Sequence, residues 1–366
     1  MMDNIKRIAV IMAGGGDSYF WPYSNSEKSK TFSFIFGEGS LIQNTYKRLL
    51  SIFPKEDIYI VTIKKTYDFV KEQVPEIADE NIFLEPSRRG TAPCLSLAAY
   101  LLKDKIPEKA IISALPVDHV ITDLKNFEKC IALANETANL YDGVVTIGLK
   151  PTRAETCYGY LQYDDSPVGL EKLFEQGVRK GITFAEKPDV ATAQRFIDCG
   201  DFLWNSGIYV MNMKTLLNKI DKYLYNYTDI FEKISLIYGQ EVKETEIENL
   251  YKSMPKISLD NGILEKSDSV FVVKGDFEWT DLNNWDEFYR ISNKNAENNI
   301  LMGNIISIDN KDSLIASSDK MLAVVGLEDV IVINSDFGIL VCKRSESERV
   351  HEIMSYMKQH SINQQS

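Results

Sequence analysis

The sequence predicts an α/β fold: a large domain built on βαβ units and a parallel sheet, followed by a small β-rich region. Three observations lead there. In the first half, short apolar runs alternate with helical patterns, which is how βαβ units read. The chain has 366 residues, 44% of them apolar, so it can bury a sizeable core and exceeds the length at which a single core stops growing. After about Ser292 a polar stretch, Asn293-Lys294-Asn295-Ala296-Glu297-Asn298-Asn299, reads as a linker, and only short β-rich runs follow. The expected division is 1–292 and 296–366.

The strand-like runs of the first half are Ile8–Met12, Ile58–Ile63, Ile82–Leu84, Ala110–Leu115 and Val144–Ile147. Helical patterns lie between them near Leu41–Phe53, Thr66–Val74, Pro93–Leu102 and Leu124–Asn139. The middle is more mixed, with strands near Tyr158–Tyr163, Val178–Phe184 and Ser206–Asn212. A tyrosine-rich helical stretch from Lys214 to Ser253 follows, and its aromatic spacing reads as core packing. Val270–Val273 is a further strand. In the last region the β-rich runs are Gly303–Ile308, Met321–Val325, Val330–Ile333 and Gly338–Cys342, and Glu346–Lys358 reads as a helix. No regular repeat is visible there.

A net charge of −12 argues against nucleic acid or an anionic membrane as the main partner, but phosphate ligands need only a local basic cluster. No apolar run reaches the length of a membrane span or carries a cleavage pattern. The five cysteines (Cys94, Cys130, Cys157, Cys199, Cys342) form no Cys-x-x-Cys pair, so they read as reduced thiols of a cytoplasmic protein. The three histidines lack zinc-ligand spacing.

The most informative stretch is the first strand and its exit, Ala13-Gly14-Gly15-Gly16-Asp17-Ser18-Tyr19-Phe20-Trp21-Pro22, with Glu27-Lys28-Ser29-Lys30 behind it. Glycines at a strand exit let backbone N–H groups approach an anion at the carboxyl end of a sheet, and the lysines add positive charge. The run fits neither a dinucleotide fingerprint, since position 19 is tyrosine, nor a Walker loop. It resembles the sugar nucleotidyltransferases, and within them the mannose-1-phosphate guanylyltransferases, which open with Ala-Gly-Gly-x-Gly-Thr-Arg-Phe-Trp-Pro and continue into Lys-Pro-Lys. Further blocks follow in the family's order: Glu85-Pro86-Ser87-Arg88-Arg89-Gly90-Thr91-Ala92-Pro93, Leu115-Pro116-Val117-Asp118-His119 and Gly148-Leu149-Lys150-Pro151-Thr152-Arg153. Tyr158-Gly159-Tyr160, Glu186-Lys187-Pro188, Phe202-Leu203-Trp204-Asn205-Ser206-Gly207 and Phe277-Glu278-Trp279-Thr280-Asp281 complete the set.

The resemblance implies a Rossmann-like nucleotidyltransferase domain with a mixed, mostly parallel sheet, and a C-terminal domain like a short left-handed β-helix, used in dimer contacts. It implies GTP and mannose 1-phosphate as substrates, GDP-mannose and pyrophosphate as products, and a homodimer. The attacking phosphate oxygen is ionised at neutral pH, so no protein nucleophile is required, and catalysis consists of positioning two anions and neutralising their repulsion. Mg2+ is the implied cofactor, held by Asp118 and Asp281. Lys30 would contact phosphate near the α-phosphorus, and Lys187 the sugar phosphate, both counted with Asp118 as catalytic. Gly14, Gly15, Glu85, Arg89 and Thr91 would line the nucleotide, and Gly159, Glu186 and Asn205 the sugar. On residue type alone Asp118 is a turn or cap aspartate. An adjacent acid and base such as Glu186 and Lys187 usually project to opposite faces of a strand.

The chain departs from the family at Asp17-Ser18-Tyr19, where the family has Gly-Thr-Arg. A lost arginine removes charge-assisted contacts worth roughly 1.5–3 kcal/mol each, and a solvated Asp17 opposes the phosphates by about 1 kcal/mol. Gly90 replaces an asparagine, Ser29 a proline and Cys157 a glycine. Two alternatives therefore stand beside the guanylyltransferase: a degenerate nucleotide-sugar-binding regulatory subunit, and a nucleotidyltransferase of different base or sugar choice.

Overall fold

The computed structural model describes residues 5–15, 18–24, 29–33, 35 and 37–360. The chain divides into two compact units, one comprising Met1–Gly15, Thr45–Val117 and Ile121–Trp279, the other Gly16–Asn44, Asp118–Val120 and Thr280–Ser366. In chain order the strands up to the end of the first unit are β1 (Arg7–Met12), β2 (Ile58–Ile63), β3 (Ile82–Glu85), β4 (Ile111–Pro116), β5 (His119–Ile121), β6 (Val144–Leu149), β7 (Gly159–Asp164), β8 (Val178–Ala185), β9 (Phe202–Asn212), β10 (Val270–Gly275) and β11 (Trp279–Asp281).

Nine of these build the sheet of the first unit, in the order β3-β2-β1-β4-β9-β6-β10-β8-β7. The strands β1 to β4 pair in parallel, as crossover helices require. Residues Ile8 to Ile11 are fully buried, because helices cover both faces and apolar side chains are wanted on each. The long strand β9 then enters antiparallel to both β4 and β6. Among the nine, β8 and β9 alone run against the rest, so the sheet is mixed with seven strands in one direction. The helix Thr91–Leu102 is apolar on nearly every side. It lies between the sheet and the helices Met213–Tyr223 and Tyr225–Ile237, a position that leaves it no solvent face. Tyr227, Phe231 and Tyr251 are buried in this layer and Tyr223 and Tyr238 pack against it, so these aromatics are packing material, whereas Tyr225 is exposed.

The second unit ends in stacked short strands: β12 (Ile300–Met302), β13 (Ile305–Ile308), β14 (Leu314–Ser317), β15 (Leu322–Val325), β16 (Val330–Ser335) and β17 (Gly338–Lys343). Leu314 stacks in parallel on Ile300 and Ile331 on Leu314, and Leu322 stacks on Ile305. These are the coils of a small β-helix, with β17 folding back antiparallel on β16. The coil lengths differ (14 residues from 300 to 314, 17 from 314 to 331), which is why no repeat shows in the sequence. Inside, Ile315, Val324 and Val332 are buried, and Asn310 ties neighbouring coils by donating to Val324 O at 2.7 Å and accepting from Leu327 N–H at 2.9 Å. The strands β12 (three residues) and β14 (four residues) were not read from the sequence.

Ile300, Leu314, Ile331, Ile333 and Leu340 pack in one cluster with Phe20, Trp21, Leu282, Trp285 and Phe288. Trp285 lies 4.8 Å from the Phe20 ring and donates from Nε1 to Trp21 O at 3.0 Å. The β-rich runs thus find their core against earlier parts of the same unit, as their size demanded. Gly303 has φ +90°, and a Cβ there would lie 2.0 Å from Ser317 O. Gly303→Ala should therefore destabilise the chain by more than about 2 kcal/mol, measured as a drop in the midpoint of denaturant unfolding; an unchanged midpoint would show that the coil relaxes freely.

Candidate active site

In the second unit, β5 and β11 form a two-stranded sheet, and Leu282 N–H donates to Asp118 O at 3.1 Å. That pairing sets Asp118, just before β5, beside Asp281 at the end of β11. Lys30 is buried, with Nζ 2.8 Å from Asp118 Oδ2, 2.8 Å from Leu282 O and 5.7 Å from the centre of the Phe20 ring. Ser29 closes the short turn holding Lys30 by accepting from Thr31 N–H at 3.3 Å. Burial opposes the charge on Asp118, but Lys30, His119 and a backbone hydrogen bond together outweigh it and hold the carboxyl below its ordinary range. Two hard carboxylates on adjoining strand ends, one kept ionised, are a donor set suited to Mg2+. Gly16, Asp17, Glu27 and Lys28 lie outside the described residues. Tyr19 is 40% exposed, with its ring 4.9 Å from that of His351.

In the first unit, Gly14 and Gly15 follow β1, and Glu85 ends β3. Glu85 is buried: Tyr251 Oη donates to its Oε1 at 2.9 Å, and the Cys94 thiol donates to it as well. Gly14 lies so close that a Cβ would come 2.9 Å from Glu85 Oε2. Burial pushes the Glu85 carboxyl up to about 7 against the pull of Tyr251, Cys94 and Arg88. Arg89 donates to Lys252 O at 2.9 Å, and Thr91 Oγ1 accepts from Leu259 N–H at 2.8 Å. Between them Gly90 has φ +98°, where a Cβ would lie 2.2 Å from Ile257 O. The Arg89–Ala92 end of the loop is thus tied to residues 252–259, and only glycine fits at position 90.

A second cluster of the same unit holds the expected sugar residues. Gly159 and Asn205 face each other across β7 and β9, and a Cβ on Gly159 would meet Phe184 at 2.6 Å and Glu186 Oε2 at 3.2 Å. Glu186 and Lys187 follow the end of β8, and Lys187 adopts φ +46°. That left-handed turn breaks the strand alternation, so Lys187 Nζ comes within 3.6 Å of Glu186 Oε1 rather than pointing away. A non-glycine residue held there stores strain, which clusters at functional sites. Asn205 donates to Asp260 Oδ1 at 2.7 Å, and Tyr209 Oη donates to the same atom at 2.5 Å.

The Nucleotidyl transferase family matches residues 8–298. The chain belongs to that family. A MannoseP isomerase/GMP-like beta-helix domain matches residues 303–357 of this nucleotidyl transferase. It is 31% identical over 364 residues to a mannose-1-phosphate guanylyltransferase of Salmonella typhimurium, covering 98% of this chain and 74% of that protein. Mannose-1-phosphate guanylyltransferase 2 of Escherichia coli O157:H7 is 30% identical over the same shares. A crystal structure from Thermus thermophilus, described as a mannose-1-phosphate geranyltransferase, superposes with a TM-score of 0.85 at 27% identity, covering 97% of this chain and all of that one.

Sequence reasoning missed Tyr251, Tyr209 and Asp260, which hold the expected residues of this nucleotidyl transferase from the far side. Nothing in Ser258-Leu259-Asp260-Asn261-Gly262 separates it from an ordinary turn, and Tyr251 reads as core. Glu85 makes stability depend on pH. Its folded value, about 7, stands above the ordinary 4.5, so raising the pH between these values ionises the unfolded chain first. Stability should fall by about 3 kcal/mol from this group over that interval and then level off. Glu85→Gln should flatten that part of the profile in a series of unfolding curves; an unchanged slope would show that Glu85 is already charged in the folded chain.

Proposed function

We propose that the chain is a mannose-1-phosphate guanylyltransferase, forming GDP-mannose and pyrophosphate from GTP and mannose 1-phosphate. The observation that carries this reading is the similarity, over nearly the whole chain, to proteins named for that activity. The chemistry of the candidate residues supports it. A phosphate oxygen of the sugar attacks the α-phosphorus of GTP, the bond from that phosphorus to the bridging oxygen breaks, and pyrophosphate leaves with the electron pair. The fully ionised attacking oxygen needs no base, which suits a site whose candidates are lysines, carboxylates and glycines. Lys187 would neutralise the sugar phosphate and Lys30 the α-phosphate. Gly14 and Gly15 allow the nucleotide phosphates close to the backbone, and the Glu85–Thr91 loop lies by the base. Gly159, Glu186 and Asn205 take the sugar hydroxyls. Asp118 and Asp281 would hold Mg2+, which when bound supplies charge neutralisation at the reacting phosphates.

The test is pyrophosphate release from mannose 1-phosphate and each of the four nucleoside triphosphates with magnesium. GTP should support turnover, and Asp118→Ala or Asp281→Ala should each lower kcat by about a hundredfold or more with unfolding curves still cooperative. Unchanged release from Asp281→Ala would remove it from the metal site, and nucleotide binding without turnover would favour the regulatory-subunit alternative. Lys187→Ala should raise KM for mannose 1-phosphate and lower kcat while leaving KM for GTP nearly unchanged; equal damage to GTP binding would assign it elsewhere.

A cytoplasmic homodimer completes the proposal. On the β-helix, Ile306, Ile308, Met321, Val325, Ile339 and Val341 are exposed, and an apolar surface of that kind fits a second copy. Light scattering at tens of micromolar should report a dimer, and a chain ending near Asn295 a monomer. A full-length monomer would overturn the dimer, and a shortened chain that still pairs would misplace its interface.

A further inference from the structure

The sugar-side cluster carries more acceptors than its own protons can serve. Thr146 Oγ1 has one proton, yet the two atoms it faces, Asn205 Oδ1 at 2.6 Å and Ile208 O at 2.9 Å, both accept. The amide protons of Asn205 go to Asp260 Oδ1 at 2.7 Å and Tyr209 Oη at 3.3 Å, and the Tyr209 proton goes to Asp260 Oδ1. Turning the Asn205 amide over would relieve Thr146 but set Asn205 Oδ1 against the Asp260 carboxylate, so Asp260 fixes the orientation. What remains are acceptors in need of donors. Asp260 Oδ2 receives no hydrogen bond from another described residue, and Glu186 meets Lys187 at 3.6 Å. The Asp260 charge is felt at Glu186, which places the two carboxylates in one neighbourhood.

Two carboxylates exclude phosphate and invite hydroxyl donors, while Lys187 invites the phosphate. A ligand that is anionic at one end and rich in hydroxyls at the other satisfies both. We propose that Asp260 is a sugar-binding residue, its Oδ2 accepting from a hydroxyl of the hexose 1-phosphate alongside Glu186 while its Oδ1 holds the Asn205 amide. This rests on the reading of the chain as a sugar-1-phosphate nucleotidyltransferase. Asp260 opens a short π-helical turn, Asp260–Leu264, a backbone form frequent at functional sites. The residue before it, Leu259, is bonded to Thr91. One segment therefore serves both the nucleotide loop and the sugar cluster.

The experiment compares the full-length wild type with Asp260→Asn, using GTP and mannose 1-phosphate or its 2-, 3-, 4- and 6-deoxy analogues. Asp260→Asn should raise KM for mannose 1-phosphate by about tenfold or more, with KM for GTP within about twofold. For one deoxy analogue the variant and wild type should converge, because the hydroxyl that Asp260 serves is gone, and a merely structural role would produce no such convergence. Tyr209→Phe, which leaves the carboxylate in place, should weaken discrimination at the same hydroxyl and keeps the test open should Asp260→Asn fail to fold. An active wild type with the same penalty for every analogue overturns the role of Asp260 alone. A wild type that neither binds nor uses mannose, glucose or galactose 1-phosphate overturns it together with the proposed function.

Discussion

Strand β9 is the member on which the larger unit depends. By running antiparallel between β4 and β6 it joins a purely parallel half-sheet to a mixed one, and its far end also pairs with β7. A parallel sheet alone offers its strand ends to ligands at one edge. The reversed strand instead presents Asn205 and Tyr209, four residues apart on one face, to the same carboxylate oxygen. Thr146 on β6 and Gly159 on β7 meet that face from either side. The positions of Asn205 and Gly159 thus follow from the direction of a single strand, whereas Glu186 and Lys187 come from the end of β8.

The βαβ half was legible because its strands are fully apolar and its helices lie between them at short intervals. The run Ile58–Ile63 coincides with β2, and the run from Val144 begins where β6 begins and stops two residues short of its end. Strand β9 was only half legible: its first four residues, Phe202 to Asn205, carry a tryptophan and an asparagine that read as a motif rather than a strand. The β-helix was least legible, since its strands are short and lie on coils of unequal length. The supports of the site stayed hidden for another reason. Tyr251 and Asp260 act through side chains that meet their partners across more than fifty residues of sequence, and no local pattern encodes such a meeting.

Two departures from the family pattern acquire physical meaning. Ser29 caps the turn that holds Lys30, so a hydroxyl takes up the role of fixing the turn that a proline ring would otherwise have. Tyr19, standing where the family has arginine, lies against His351 of the C-terminal helix. Its ring is used for packing within the second unit, against the appendage that follows the chemistry-bearing motifs.

Gly90 has a consequence for how such a chain can change. The backbone of Ile257 occupies the space that any side chain at position 90 would need, and the bonds from Ile257 N–H to Arg89 O and from Ala92 N–H to Ile257 O hold it there. Restoring the family's asparagine is therefore not a reversal of one step. It would first require the 252–259 segment to retreat, and Asp260, one residue beyond that segment, would retreat with it. The two positions are contingent on each other: a side chain that the family carries is barred here by the backbone facing it, and re-admitting it would disturb the sugar cluster next door.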